Sequence, residues 1–284
     1  MGRTLTATVL FLVALPTAAL AQTTSAELVS NRPNGWIHAP SREQNDRLWQ
    51  CAAYGGSWVA SNDGGNIALR RFDPKGEKQE PIPPNVSLSK KMIGRRTFRP
   101  TSSGWLAGFD GGEFGGGLWW FSRDGSKTIK LLSDNVHAIY QTKAGILILV
   151  GLDHMGLNYG NVYEFKDAAD KVDTSLVAKL DGSPEASTVE TGGNVVIATP
   201  HSVLRVGNDG KVNEIYKSGE YLTYPTSAAL DINGIIYVAM RFFVLRLIPQ
   251  GSGYRAEWLM PEQCRSFNLE KYICACNGAG NQPH

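Results

Sequence analysis

The sequence predicts an all-β chain: one β-propeller of six four-stranded blades, closed by strands from the two ends of the chain. Three observations carry this. A short phrase, a turn followed by an apolar strand ending in a small residue, returns six times. Its copies end at Ala60, Ala107, Val150, Ala198, Ala239 and Ala275, between 36 and 48 residues apart, a period that suits one blade per copy. No long helical pattern interrupts the strands.

Taken in order, residues 1–21 read as an export signal. Arg3 supplies a positive start, Val9–Leu15 an apolar core too short to span a bilayer, and Ala19-Leu20-Ala21 a cleavage site. Residues 22–284 form the expected propeller domain, placed in the periplasm or outside the cell. Ala26–Ser30 and Gly35–Ala39 are short strand candidates whose weak pattern leaves five or seven blades open.

The first copy is Gly56–Ala60, and the second and third carry long inserts at Phe109–Gly117 and Leu152–Gly160. The fourth unit shows four strands, at 187–191, 195–198, 202–206 and 211–216. In the fifth, strands at 226–231 and 235–240 flank Asn233-Gly234, the strongest short hairpin signal, and strands at 244–248 and 254–259 follow. The sixth copy supplies only Arg265–Leu269 and Tyr272–Cys276, so the N-terminal strands are expected to complete that blade and cover its open edge.

The line from Pro225 to Ala239 resembles the NHL repeat and the related senescence-marker/gluconolactonase-like propellers: a Pro, a small apolar strand, an Asp, a Gly turn and a Tyr-Val-Ala strand. NHL repeats usually place an Asp after that Ala, where this chain has Met240, Thr199, Gly108 and Ser61. The resemblance implies a propeller and, as one of two readings of function, a metal-assisted hydrolase or lactonase.

A content of 42 % hydrophobic and 19 % charged residues describes an ordinary folded protein. The net charge of +2 is too mild to imply nucleic acid or an anionic lipid surface, and no membrane insertion is expected. Four cysteines, Cys51, Cys264, Cys274 and Cys276, read as disulfides in an exported chain. A bridge from Cys51 to the terminal group would lock the ring, with the pairing left open.

Loops of different blades meet at one end of a propeller, so the residues following each repeated strand are the candidate site. These are Asn62, Asp63, Asp110, Asp153, His154, His201, Arg241 and Asn277. Asn62, Asp63 and Asp110 sit beside glycines, where Asp and Asn also serve simply to cap turns. The ligand-binding candidates are Asp110, Asp153, His154, His201 and Arg241. The first four could hold one divalent metal ion. No phosphate loop, nucleophile elbow or H-E-x-x-H motif is present. The favoured reading is an exported propeller that binds a protein or glycan through its loop-lined face.

Overall fold

The computed structural model describes residues 32–51, 55–168 and 171–264. The expected signal segment, the strand candidate at 26–30, the sixth copy at 265–276, and Cys274, Cys276 and Asn277 lie outside the described residues.

The described chain is all-β, apart from the short helix α1 (Asp46–Gln50) and two single 3-10 turns. The first strand is β1 (Trp36–His38). A hairpin follows, β2 (Trp58–Asp63) and β3 (Asn66–Arg71), turning through Gly64 and Gly65, both at positive φ. The next sheet is β4 (Arg95–Pro100), β5 (Gly104–Asp110), β6 (Gly116–Ser122) and β7 (Thr128–Leu132). After it come β8 (Val136–Gln141), β9 (Ile146–His154), β10 (Leu157–Ala168) and β11 (Lys171–Leu180). The fourth group is β12 (Ala186–Val189), β13 (Val195–Ala198), β14 (Ser202–Val206) and β15 (Val212–Lys217). The last is β16 (Ser227–Leu230), β17 (Ile236–Ala239), β18 (Val244–Gln250) and β19 (Gly253–Pro261). Each four-stranded group pairs in sequence order as an antiparallel meander, the blade of a propeller.

The middle strands read as unbroken apolar runs because both of their faces are covered. Val195, Val196, Ile197 and Ala198 of β13 are all fully buried. Successive side chains of a strand point to opposite faces. Val195 and Ile197 accordingly share a cluster with Leu147 and Leu149 of β9, while Val196 and Ala198 share another with Ile236 and Val238 of β17. The same division holds one sheet earlier. Ile146, Ile148 and Val150 of β9 join Leu106 and Leu118, while Ala107 and Phe109 of β5 join Phe98, Trp119 and Phe121. Sheets are thus stacked face against face through alternating positions, each buried Leu, Ile or Val contributing about 1.5–3 kcal/mol.

Three sequence expectations change. First, the insert at 152–160 is no loop: β9 runs to His154, β10 starts at Leu157, and Met155 and Gly156 (φ 48° and 86°) make a tight two-residue turn. The insert at 109–117 likewise shrinks to five residues around the 3-10 turn Gly112–Phe114. Second, the first copy makes a two-stranded sheet, not four. The chain from 72 to 94 packs on the next sheet instead, where Glu80 accepts a hydrogen bond from the Phe98 amide at 2.7 Å and Val86 joins the Phe98 cluster.

Third, the N-terminal strand completes a different sheet from the one expected. β1 pairs with β19, Trp36 opposite Pro261 and His38 opposite Leu259, giving the fifth unit five strands. The registry follows from two backbone bonds, Ala39 N to Trp258 O at 2.8 Å and Glu262 N to Gly35 O at 2.7 Å. β2 meanwhile lies directly against β16, with the Ala60 amide bonded to Ser227 Oγ at 2.7 Å and Trp58 N to Met240 O at 3.1 Å. Cys51 and Cys264 are buried in one apolar cluster with Leu48, Phe243 and Met260, and neither is a free thiol.

Candidate functional site

The second strands β5, β9 and β13 carry Asp110, Asp153 and His154, and, just past Ala198, His201 toward the same end of the stack. Side chains from three sheets meet there in a continuous run. Asp110 Oδ2 lies 3.4 Å from Arg95 Nη2 and 3.9 Å from His137 Nδ1. The other imidazole nitrogen of His137 is 3.1 Å from the Gly151 carbonyl and 3.3 Å from Ser183 Oγ. Asn158 then joins the second group to the third. Its Oδ1 accepts from the Ser183 amide at 2.8 Å, and its Nδ2 stands 3.2 Å from His201 Nε2. A backbone N–H can only donate, so the orientation of the Asn158 amide is fixed and His201 Nε2 is an acceptor.

Tyr221 completes the run. Its hydroxyl donates to Asp153 Oδ2, and its ring meets the His201 ring edge-on at 5.6 Å. Burial, then the hydrogen bond to Asp153, raises the Tyr221 pKa well above the ordinary phenol value. The hydroxyl therefore remains a donor at any physiological pH.

Of the five candidates, Asp153 and His201 are brought together through Tyr221, and Asp110 reaches them only through His137, Ser183 and Asn158. His154 turns the other way, its Nε2 2.7 Å from Glu113 Oε2 in the neighbouring sheet's turn. Arg241 sits beside the Tyr221 segment, its amide bonded to the Thr223 carbonyl at 3.1 Å, but its guanidinium stacks 3.9 Å from the centre of the Tyr224 ring, the aromatic-stacking alternative. Turn capping explains part of the rest. Asn62 Oδ1 accepts from the Gly65 amide at 2.7 Å, and Asp110 Oδ1 from Gly112 at 3.1 Å.

The expected metal set, Asp110, Asp153, His154 and His201, does not assemble. Each side chain faces a different partner, and among the described residues no group of three or more His, Cys, Asp or Glu could hold a metal ion. Ser183, His137 and Asp110 stand in the order of a nucleophile, base and acid, but they do not work as one. Ser183 is fully buried, and His137 Nε2 donates to the Gly151 carbonyl, so it has no lone pair for a serine proton.

Arg95, Glu113, His137, Asn158, Ser183 and Tyr221 escaped the sequence reading, which looked only past the second strands. Arg95 and His137 begin first strands, and Ser183 and Tyr221 precede them. The same register applied to the starts of first strands would have found Arg95 and His137.

No family model matches the chain, and no curated protein matches it in sequence. Solved structures overlap it in part. A gluconolactonase from Xanthomonas campestris is 13 % identical with a TM-score of 0.40, the match covering 68 % of this chain and 64 % of that one. A streptogramin B lyase is 13 % identical with a TM-score of 0.41, over 60 % and 56 %. PorZ, a bacterial surface component of the type-IX secretion system of Porphyromonas gingivalis, is 12 % identical with a TM-score of 0.41, over 70 % and 33 %. The chain thus spans less than two thirds of the length of each. Overlaps this loose carry no argument about its chemistry; the fold rests on the sheets themselves.

One opening adjoins the network. A cleft of about 230 Å³ adjoins Tyr221, between α1 and the 220–223 and 240–243 loops. A larger one, about 610 Å³, lies at the opposite end, lined by Asn62, Thr188, Glu190 and Asp231. Glu190 is already held there by Arg205 at 2.6 Å, and Asp231 by the amides of Asn233 and Ile235. Among the described residues no helix is long and apolar enough to cross a membrane.

Proposed function

We propose that the chain is an exported binding propeller that recognises a glycan at the end face carrying Asp153, Asn158, His201 and Tyr221. One observation carries the reading: Tyr221 joins Asp153 and His201, from different sheets, into a partly exposed surface of a carboxylate, an imidazole, an amide and a phenol. Such a set offers fixed donors and acceptors, and among the described residues it gathers no three metal-binding side chains, which suits hydroxyl recognition. Asp153→Ala and His201→Ala should each weaken capture of the bound oligosaccharide at least tenfold on a printed glycan array followed by titration. Because these are surface changes, folding stability should move by less than about 0.5 kcal/mol. Undiminished capture in both variants refutes the assignment, and capture of a protein with no glycan bound favours the protein-ligand alternative.

We read residues 1–21 as a removed signal and 22–284 as the mature domain, and Cys51 and Cys264 as members of disulfides that tie the two ends of the domain. Intact-mass analysis of the secreted protein should show a start near Gln22. Non-reducing peptide mapping should recover Cys51 and Cys264 only in cross-linked peptides; free thiols at both would refute the covalent tie. The contact of β2 with β16 supports a ring of five blades, the smaller count that the sequence leaves open.

A further inference from the structure

We infer that the cleft beside Tyr221 is a subsite for a single neutral pyranose ring; this rests on the glycan reading of the end face and names the part of the ligand that seats there. The cleft holds about 230 Å³, below the roughly 300–1,000 Å³ of pockets that enclose larger ligands, so it suits one ring rather than a chain. Its walls are aromatic. Trp49 and Phe243 stand 4.5 Å apart with planes tilted by 32°, and Trp258 meets Trp49 edge-on at 4.9 Å. The Trp49 indole cannot swing away, because its Nε1–H donates to the Pro40 carbonyl at 2.9 Å. Trp49 and Trp258 are each only partly buried, which leaves aromatic surface facing the space.

The rim decides the ligand's charge. Arg42 Nη1 lies 2.5 Å from Glu220 Oε2 and its Nε 2.8 Å from Asp46 Oδ1, so the guanidinium and the Glu220 carboxylate at the mouth are each already paired. A cation would meet the Arg42 guanidinium and an anion the Glu220 carboxylate, each at the point of entry. A neutral ring with one apolar C–H face and a hydroxyl edge fits both parts: the face lies on the aromatic wall, and the edge bonds Arg42, Glu220 and Tyr221. Tyr221 also donates to Asp153, so the next residue of an oligosaccharide would leave the cleft directly onto the polar network.

The test is a tryptophan-emission titration of the full mature chain with the methyl glycosides of glucose, galactose, mannose and N-acetylglucosamine, and with choline. Arg42→Ala and Glu220→Ala report on the rim, since both side chains are exposed and exposed ion pairs add little to folding. The expected result is a saturable emission change with at least one glycoside, weakened tenfold or more by each rim variant, with circular dichroism unchanged. A response to choline alone, or to no glycoside, overturns the proposal. Glycoside binding that survives both rim variants but is lost in Asp153→Ala overturns the cleft while leaving the end-face reading intact. Oligosaccharide capture insensitive to Asp153 and His201 overturns that reading separately.

Discussion

Replacing Glu257 with alanine should cost about 3–5 kcal/mol of folding stability, the cost of breaking a fully buried ion pair by removing one partner. Glu257 and Arg246 face each other across β18 and β19, and both side chains are completely shielded from solvent. Arg246 Nη1 is 3.0 Å from Glu257 Oε2, its Nε donates to Tyr237 Oη at 3.1 Å, and Arg32 Nε bonds Glu257 Oε1 at 2.7 Å. Burial pushes the Glu257 pKa up, but the hydrogen bonds from Arg32 and Arg246 outweigh it and hold the carboxyl below its ordinary value. Loss of the carboxylate leaves a desolvated guanidinium short of its counter-charge. A midpoint lowered by roughly 6–20 °C in thermal melts is expected for a domain of this size. The double variant Arg246→Met, Glu257→Leu should recover most of the loss, since a well-packed apolar pair often replaces a buried ion pair without penalty.

The pH dependence has a definite sign. A carboxyl whose pKa is depressed in the folded state stabilises above its unfolded pKa, about 4.3, and that contribution is lost as pH falls through the lower folded value. The gap between the native protein and Glu257→Ala should therefore be full at neutral pH and narrow below about pH 4. A midpoint shift under about 2 °C at pH 7 contradicts the argument.

Gly94→Ala should cost nearly as much, about 2–5 kcal/mol. Gly94 has φ +87°, a backbone region that costs other residues about 1–2 kcal/mol. An added Cβ would also land on the backbone of Asp110 and Gly111, which cannot move aside without shifting the end of β5. Overpacking of that kind adds about 1–3 kcal/mol. Gly35→Ala is the control: φ is +79°, but a Cβ there meets nothing within 4 Å. Denaturant titration should show only the conformational part of the loss in Gly35→Ala. Equal losses in the two variants would mean that the contact with Asp110 costs nothing.

Most of the strand pattern could be read from the chain, because in a stacked sheet the local signal and the tertiary environment agree. Asn233-Gly234 turns where β16 meets β17, and the runs at 195–198 and 202–206 are strands at the stated bounds. The insert at 152–160 misled because Gly156 and Gly160 resemble loop residues, whereas only Met155 and Gly156 actually turn. The place of β1 was hidden for another reason: a three-residue strand has no periodicity to measure, and its partner lies more than two hundred residues away. The site was half legible. Position past a second strand located Asp153 and His201, but what binds them together, Tyr221, sits in a long connection with no repeat to mark it. Arg241 and His154 occupy equivalent positions and point elsewhere, because side-chain direction depends on neighbours such as Tyr224 and Glu113.

The joining of β1 to β19 and of β2 to β16 also sets a timetable. Hairpins such as β9–β10 can form as soon as their own residues are free, because their partners are adjacent in the chain. The bonds between Ala60 and Ser227 span 167 residues, and those between Arg32 and Glu257 span 225. Loops of this length must close before such contacts return any energy, so they form last. A chain emerging from its N-terminal end can thus pair β2 with β3 at once, but it holds β1 unmatched until residue 261 has been made. Consecutive sheets can stack as each is completed, and the last step left is the closing of β1 and β2 onto β19 and β16.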